Sequence, residues 1–245
     1  MKNCIILGSA RSGTSMVAGV LSKSNYFMGK NLIGPNRFNP KGNLESIDIN
    51  ELNNSIIHVS LTESRIPKDL PRYAAWLYEL PLEMRITSPT PFDDQIASLT
   101  KQEPYCFKDP RFSYALPAWQ PYVNDAIYIC VFREPDKTID SIVKAAKYYH
   151  DVEFSEERAS NVWIQMYNHI LESHKDTEEL LFLHFNQVIA GDGIEKLREM
   201  TGADVDKSFP DAMLSKSASM ENVPEQCTNI YKKLCELAGY ESKLK

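Results

Sequence analysis

Short apolar runs alternate with longer stretches of helical periodicity along this chain. Residues 3–7, Asn-Cys-Ile-Ile-Leu, form the first such run and end at Gly8. A continuous run this short predicts a strand buried on both faces. Residues 14–23 follow, with Met16, Val17, Val20 and Leu21 at helical spacing. Further strands are predicted at 105–108, 127–132 and 180–185. A helix is expected after each of the strands at 105–108 and 127–132. Residues 47–61 read as a helix. Residues 155–175 make the clearest amphipathic helix, capped by Ser155, with Trp163, Met166, Ile170 and Leu171 as a core-facing stripe. A last helix over 224–238 stops at Gly239.

Between these elements, residues 29–46 are rich in Gly, Asn and Pro and predict a long surface loop. Pro67, Pro71, Pro81, Pro89 and Pro91 break the next stretch into short helical pieces joined by turns, with Pro104 beyond them. Strands alternating with helices predict an α/β fold, with a parallel β-sheet flanked by helices on both faces. The 245 residues suit a single domain over 1–245, with 29–105 as an insert that shapes a pocket. In such sheets ligands bind at the C-terminal ends of the strands.

The formal charge of −6 argues against a general nucleic-acid binder. The five cysteines (4, 106, 130, 227 and 235) form no CxxC pair and no zinc spacing. They read as reduced core thiols of a cytoplasmic protein. No apolar stretch reaches transmembrane length, and a strand from residue 3 leaves no room for a signal peptide.

The informative residues follow the strands. Gly8-Ser-Ala-Arg-Ser-Gly-Thr-Ser15 has the glycine spacing of a nucleotide-phosphate loop, G-x-x-x-x-G-K-[ST]. Thr14 stands where that loop has lysine, and the positive charge has moved to Arg11. Backbone N–H groups and the helix N-terminus still make an anion nest. The strand ends carry Lys108-Asp109 and Arg133-Glu134, with no strand ending on an Asp for magnesium. These departures count against a P-loop nucleotide kinase or phosphotransferase, the alternative reading. A third reading is a nucleotide-binding regulator without catalysis, which the presence of both Lys108 and Glu45 opposes.

Four blocks in order resemble the sulfotransferases that use 3′-phosphoadenosine 5′-phosphosulfate (PAPS), most closely the bacterial branch related to tyrosylprotein sulfotransferases. They are Gly8–Ser15, Asn39-Pro-Lys-Gly-Asn-Leu-Glu45, Phe107-Lys-Asp-Pro-Arg111 and Arg133-Glu-Pro-Asp-Lys-Thr-Ile-Asp-Ser141. The resemblance spans most of residues 3–150 and implies a P-loop NTPase-like fold. It implies that Arg11, Ser12, Gly13, Thr14 and Ser15 hold the 5′-phosphosulfate. Arg133 and Ser141 would hold the 3′-phosphate, the product being 3′,5′-adenosine bisphosphate.

Sulfuryl transfer needs a base on the acceptor and cations at the sulfuryl oxygens and leaving phosphate. The resemblance assigns the cations to Lys108 and Arg11, without a metal. Glu45 is the expected base, its carboxyl raised in pKa by partial desolvation. Asp48 and His58 are fallback bases. Asp109 and Arg111 are expected to organise their loop as an ion pair, and Lys216-Ser217 to close over the nucleotide. The expected acceptor is a small soluble molecule, a metabolite or natural product, taken through a hydroxyl or amine. Glu45, Asp48, Trp76 and Tyr78 favour a cationic or polar one. Neither a nucleic-acid nor a membrane partner is expected.

Overall fold

The computed structural model describes residues 1–174, 179–214 and 223–242. Among these residues four strands form one parallel sheet in the order β2-β1-β3-β4. They are β1 (Asn3–Leu7), β2 (Cys106–Lys108), β3 (Ala126–Phe132) and β4 (Leu180–His184). The register pairs Cys4 with Cys106 on one side of β1 and with Ile127 on the other. β1 is thus central, and the chain leaves it toward neighbours on both sides. The loop after β1 therefore opens at the point where a crevice forms in doubly wound sheets.

Alternation along the strands builds two cores. Ile5, Leu7, Tyr128, Cys130 and Phe132 face one side. Helices α2 (Ile47–Val59), α4 (Phe112–Trp119), α5 (Pro135–His150), α6 (Glu156–His174) and α9 (Glu225–Ala238) contribute side chains to that core. Cys4, Ile6, Ile127, Ile129 and Val131 face the other, with α1 (Thr14–Leu21), α7 (Phe185–Ala190) and α8 (Asp192–Thr201). Every residue of β1 and β3 is buried, which explains why these strands are apolar without polar alternation. Each fully buried Ile, Leu or Phe contributes about 2 kcal/mol relative to an exposed one.

The expected parallel sheet with helices on both faces is the fold observed. Differences lie in the helical inventory. The proline-rich stretch holds short 3-10 turns at 63–65, 72–77 and 82–84, then α3 (Asp93–Thr100), which periodicity did not single out. Residues 185–201 form α7 and α8, also unforeseen, divided by the left-handed Gly191. The 29–46 loop is more ordered than its composition suggests. Its two limbs pair through Leu32 and Ser46, and Ile33 N–H donates to the Glu45 carbonyl at 2.8 Å. This pairing fixes where Glu45 emerges. Lys216 and Ser217 lie outside the described residues. No described helix is long and apolar enough to cross a membrane.

Candidate active site

The loop from Gly8 to Ser15 turns tightly because its glycines permit close approach. Gly8 has φ +136°, and a Cβ there would stand 2.2 Å from the Val131 carbonyl oxygen. Gly13 has φ +102° and caps α1; its Cβ would meet the Phe185 ring at 2.6 Å. Arg11 also holds a left-handed backbone, φ 71°, which costs a non-glycine residue about 1 kcal/mol. Such strain persists only where the surrounding structure holds the residue in place. The Arg11 guanidinium donates from Nε to Ser141 Oγ at 3.1 Å and from Nη2 to the Phe38 carbonyl at 3.3 Å. It also lies 5.2 Å from the centre of the Phe38 ring.

Arg11, Gly13, Thr14 and Ser15 line a cavity of about 820 Å³, and Lys108, Glu45 and Arg133 line it with them. The structure therefore gathers most of the residues singled out by sequence. Ser141 does not line it directly, and neither does Ser12. Its hydroxyl turns inward and donates to the carbonyls of Ser9 and Val131, at 2.6 and 2.9 Å. Its side chain holds the loop against β3 rather than facing a ligand. Ser141 sits behind Arg11, buried, and touches the cavity through it.

Lys108 extends from the end of β2 and is 3% exposed. Its Nζ ion-pairs with Glu45 and donates to Ser15 Oγ at 3.2 Å and to the Asn43 carbonyl at 3.4 Å. The other Glu45 oxygen accepts from Asn50 Nδ2 at 3.0 Å. Burial pushes the Glu45 pKa up, but the Lys108 ammonium outweighs it, with help from Arg111 and Asn50, and the net shift is downward. This corrects the sequence expectation of a raised pKa. Desolvation was foreseen; the partner cation, distant in sequence, was not. Asp109 and Arg111 form the expected ion pair, Nη1 to Oδ1 at 2.9 Å. Arg111 also braces Asn54 and the Tyr73 carbonyl, both at 2.9 Å. The fallback bases stand elsewhere. Asp48 accepts from Asn31, and His58 meets the Tyr78 hydroxyl at 2.9 Å.

At the end of β3 the Arg133 guanidinium lies 4.9 Å over the Phe185 ring. Its neighbour Glu134 is 3.8 Å from Nε, a loose pairing in a largely buried setting rather than a surface salt bridge. Phe185 was not identified from the sequence; its position directly after a strand was the available signal. The preceding His184 caps α7 by accepting from Asn186 N–H at 3.0 Å. Burial, with Lys137 and Arg133, brings its pKa down to about 4, so it is neutral and structural.

Part of the cavity lining is aromatic. Phe38, Tyr148, Tyr149 and His150 form a chain of ring contacts, and Trp76 and Tyr73 each meet His150, with contacting centroids 5.1 to 6.3 Å apart. Trp76 Nε1 donates to His150 Nε2 at 3.1 Å. The expected acceptor insert thus supplies part of this aromatic lining, and the end of α5 supplies the rest. Tyr78, expected in the pocket, is fully buried in the core.

No protein-family model matches the chain, and no curated protein matches it. Solved structures do. A sulfotransferase domain from the Synechococcus PCC 7002 olefin synthase aligns over 99% of this chain and 97% of its own, with TM-score 0.57 and 18% identity. A sulfotransferase from Alicyclobacillus acidocaldarius aligns over 99% and 97%, with TM-score 0.57 and 14% identity. A sulfotransferase domain from the curacin biosynthetic pathway aligns over 98% of both chains, with TM-score 0.51 and 13% identity. With its parallel sheet and its strand-end cavity, this chain has the fold of the bacterial sulfotransferases.

Proposed function

We propose that this protein transfers the sulfuryl group of PAPS to a hydroxyl or amine of a small soluble acceptor, a metabolite or natural product. The observation that carries this reading is the Lys108–Glu45 ion pair, set against Ser15 of the phosphate loop. One contact joins a base, a cation and an anion-binding loop. The donor set suits a ligand with two separate anionic groups. Arg11, Gly13, Thr14, Ser15, Lys108, Arg133 and Phe185 all line the cavity, and Ser141 braces Arg11. Thr14 at the lysine position of a nucleotide-triphosphate loop disfavours ATP.

PAPS supplies an activated sulfuryl group whose bond to phosphate oxygen breaks as a bond to the acceptor oxygen or nitrogen forms. Glu45, held ionised by Lys108, accepts the acceptor's proton. As Glu45 becomes neutral, Lys108 loses its counter-charge and is free to stabilise the developing charge on the leaving phosphate. Arg11 is preorganised for the same task by Ser141 and Phe38, so no reorientation is required. Ser12 serves the loop's shape. The five cysteines are free and buried, in keeping with a reducing cytoplasm.

The deciding experiment is thermal stabilisation by 3′,5′-adenosine bisphosphate, beside 5′-AMP and Mg-ATP. A shift with the bisphosphate alone, lost in Arg133→Ala, supports the proposal. A shift with Mg-ATP and none with the bisphosphate reverses it in favour of a kinase.

A further inference from the structure

The acceptor end of the cavity has an uneven supply of hydrogen-bond donors and acceptors. Helix α2 turns Ile47, Asn50, Glu51 and Asn54 to the cavity, a spacing of three, four and seven that places them on one face. Asn54 Oδ1 is occupied by Arg111 and by the Ala75 N–H. Asn50 gives its amino group to Glu45, and its Oδ1 is buried without a donor. Glu51 has neither an ion pair nor a hydrogen bond to its carboxylate among the described residues. This helix face therefore presents oxygen atoms that lack partners.

The nearby cations do not offset it. Lys108 is committed to Glu45, and Arg111 to Asp109. The rings of Tyr73, Trp76 and Tyr149, whose faces carry negative potential, line the same cavity. His150 lies among them. Trp76 N–H occupies its Nε2, and burial together with Arg111 lowers its pKa, so it adds no charge. A carboxylate without a counter-ion that shares a cavity with aromatic rings is the chemistry that recognises an ammonium group.

We propose that the acceptor carries a protonated amine, seated between the Glu51 carboxylate and the wall of Tyr73, Trp76 and Tyr149, while a separate hydroxyl is presented to Glu45. The proposal rests on the sulfotransferase reading for the role of Glu45. The binding preference at Glu51 does not depend on it. Asp48 and Tyr78, which the sequence offered for a cation, take no part; Glu51, Tyr73 and Tyr149 replace them.

Tyramine, p-cresol and 4-hydroxyphenylacetate test this, since they share a phenol and differ in charge. Their dissociation constants are measured by calorimetry on the native protein and on Glu51→Gln, with and without saturating 3′,5′-adenosine bisphosphate. The expected order of affinity is tyramine, then p-cresol, then 4-hydroxyphenylacetate, with about tenfold between the first two. In Glu51→Gln the tyramine to p-cresol ratio falls toward one. Glu51 is exposed on its helix, and an unchanged melting temperature certifies the variant as folded. Equal affinities, a preference for the neutral or anionic phenol, no binding of any of the three, or a ratio unmoved by Glu51→Gln overturns the proposal. Selective tyramine binding without any bisphosphate binding supports the amine site and overturns the PAPS reading instead.

Discussion

Arg11 and Ser141 are joined by a 3.1 Å hydrogen bond across 130 residues of sequence. The bond ties the phosphate loop to the helix that follows β3. It holds a guanidinium whose backbone is already in a strained conformation. Removing it in Ser141→Ala frees Arg11 to rotate. Affinity for 3′,5′-adenosine bisphosphate should fall about tenfold, the size of a charge-assisted hydrogen bond. Titration calorimetry reads this directly, and an unchanged dissociation constant would remove Ser141 from the binding site.

The Lys108–Glu45 pair predicts an asymmetry between stability and activity. Lys108→Met leaves a largely buried carboxylate without its cation, and should cost about 3 kcal/mol of stability. Lys108→Met combined with Glu45→Gln restores much of that loss, because no isolated charge remains. Neither variant should turn over PAPS. Urea denaturation alongside a turnover assay checks both halves. A double variant as unstable as the single one would mean that packing, not charge, sets the cost.

A depressed Glu45 pKa fixes the acid side of the pH profile. The carboxylate is ionised throughout the range above its ordinary value of 4.5, and its stabilising pairing persists there. That contribution is lost only as pH falls through the lower folded value. Hence kcat/KM should show no Glu45 limb between about pH 5 and 7. A limb in that window that coincides with titration of the Glu45 carboxyl, followed as the infrared carboxyl band absent from Glu45→Gln, would show the carboxyl to be raised and the ion pair to be absent during turnover.

The phosphate loop predicts a steep difference between two glycine substitutions. Gly8→Ala forces a Cβ to 2.2 Å from the Val131 carbonyl at a left-handed φ, and a backbone oxygen cannot move aside cheaply. The melting temperature should drop by 10 °C or more, on the order of 3 kcal/mol. Gly34→Ala meets nothing within 4 Å and should change little. Equal effects would mean that the loop reshapes freely.

The sheet and the loop were legible because both depend on contiguous residues. Strand burial appears as an apolar run, and the loop as a glycine spacing. Helices α7 and α8 were harder to see. His184, Phe185 and Gln187 draw their meaning from a capping box and from Gly13 and Arg133, far off in sequence. The site divides the same way. Lys108 and Arg133 announced themselves as cations at strand ends, and Arg11 as the cation inside the glycine-spaced loop. Glu51 did not, since one carboxylate on a helix looks like any other until the fold decides which face meets the cavity. Ser12 misled for the converse reason. Its place in the loop is right, but the turn points its hydroxyl at Val131. The direction of the Glu45 shift depended on a partner 63 residues away.

Helix α5 touches both halves of the cavity. Ser141 braces Arg11, and Tyr149 and His150 line the cavity eight and nine residues later, about 12 to 13 Å along the axis at 1.5 Å per residue. On the proposed reading, a single rigid rod therefore gauges the span between the nucleotide and the far end of the acceptor. Lengthening the acceptor by one bond cannot be absorbed by sliding one half past the other. Under the proposed transfer the protein should measure its acceptors as a caliper does, and acceptors in a homologous series should pass through a sharp optimum of chain length.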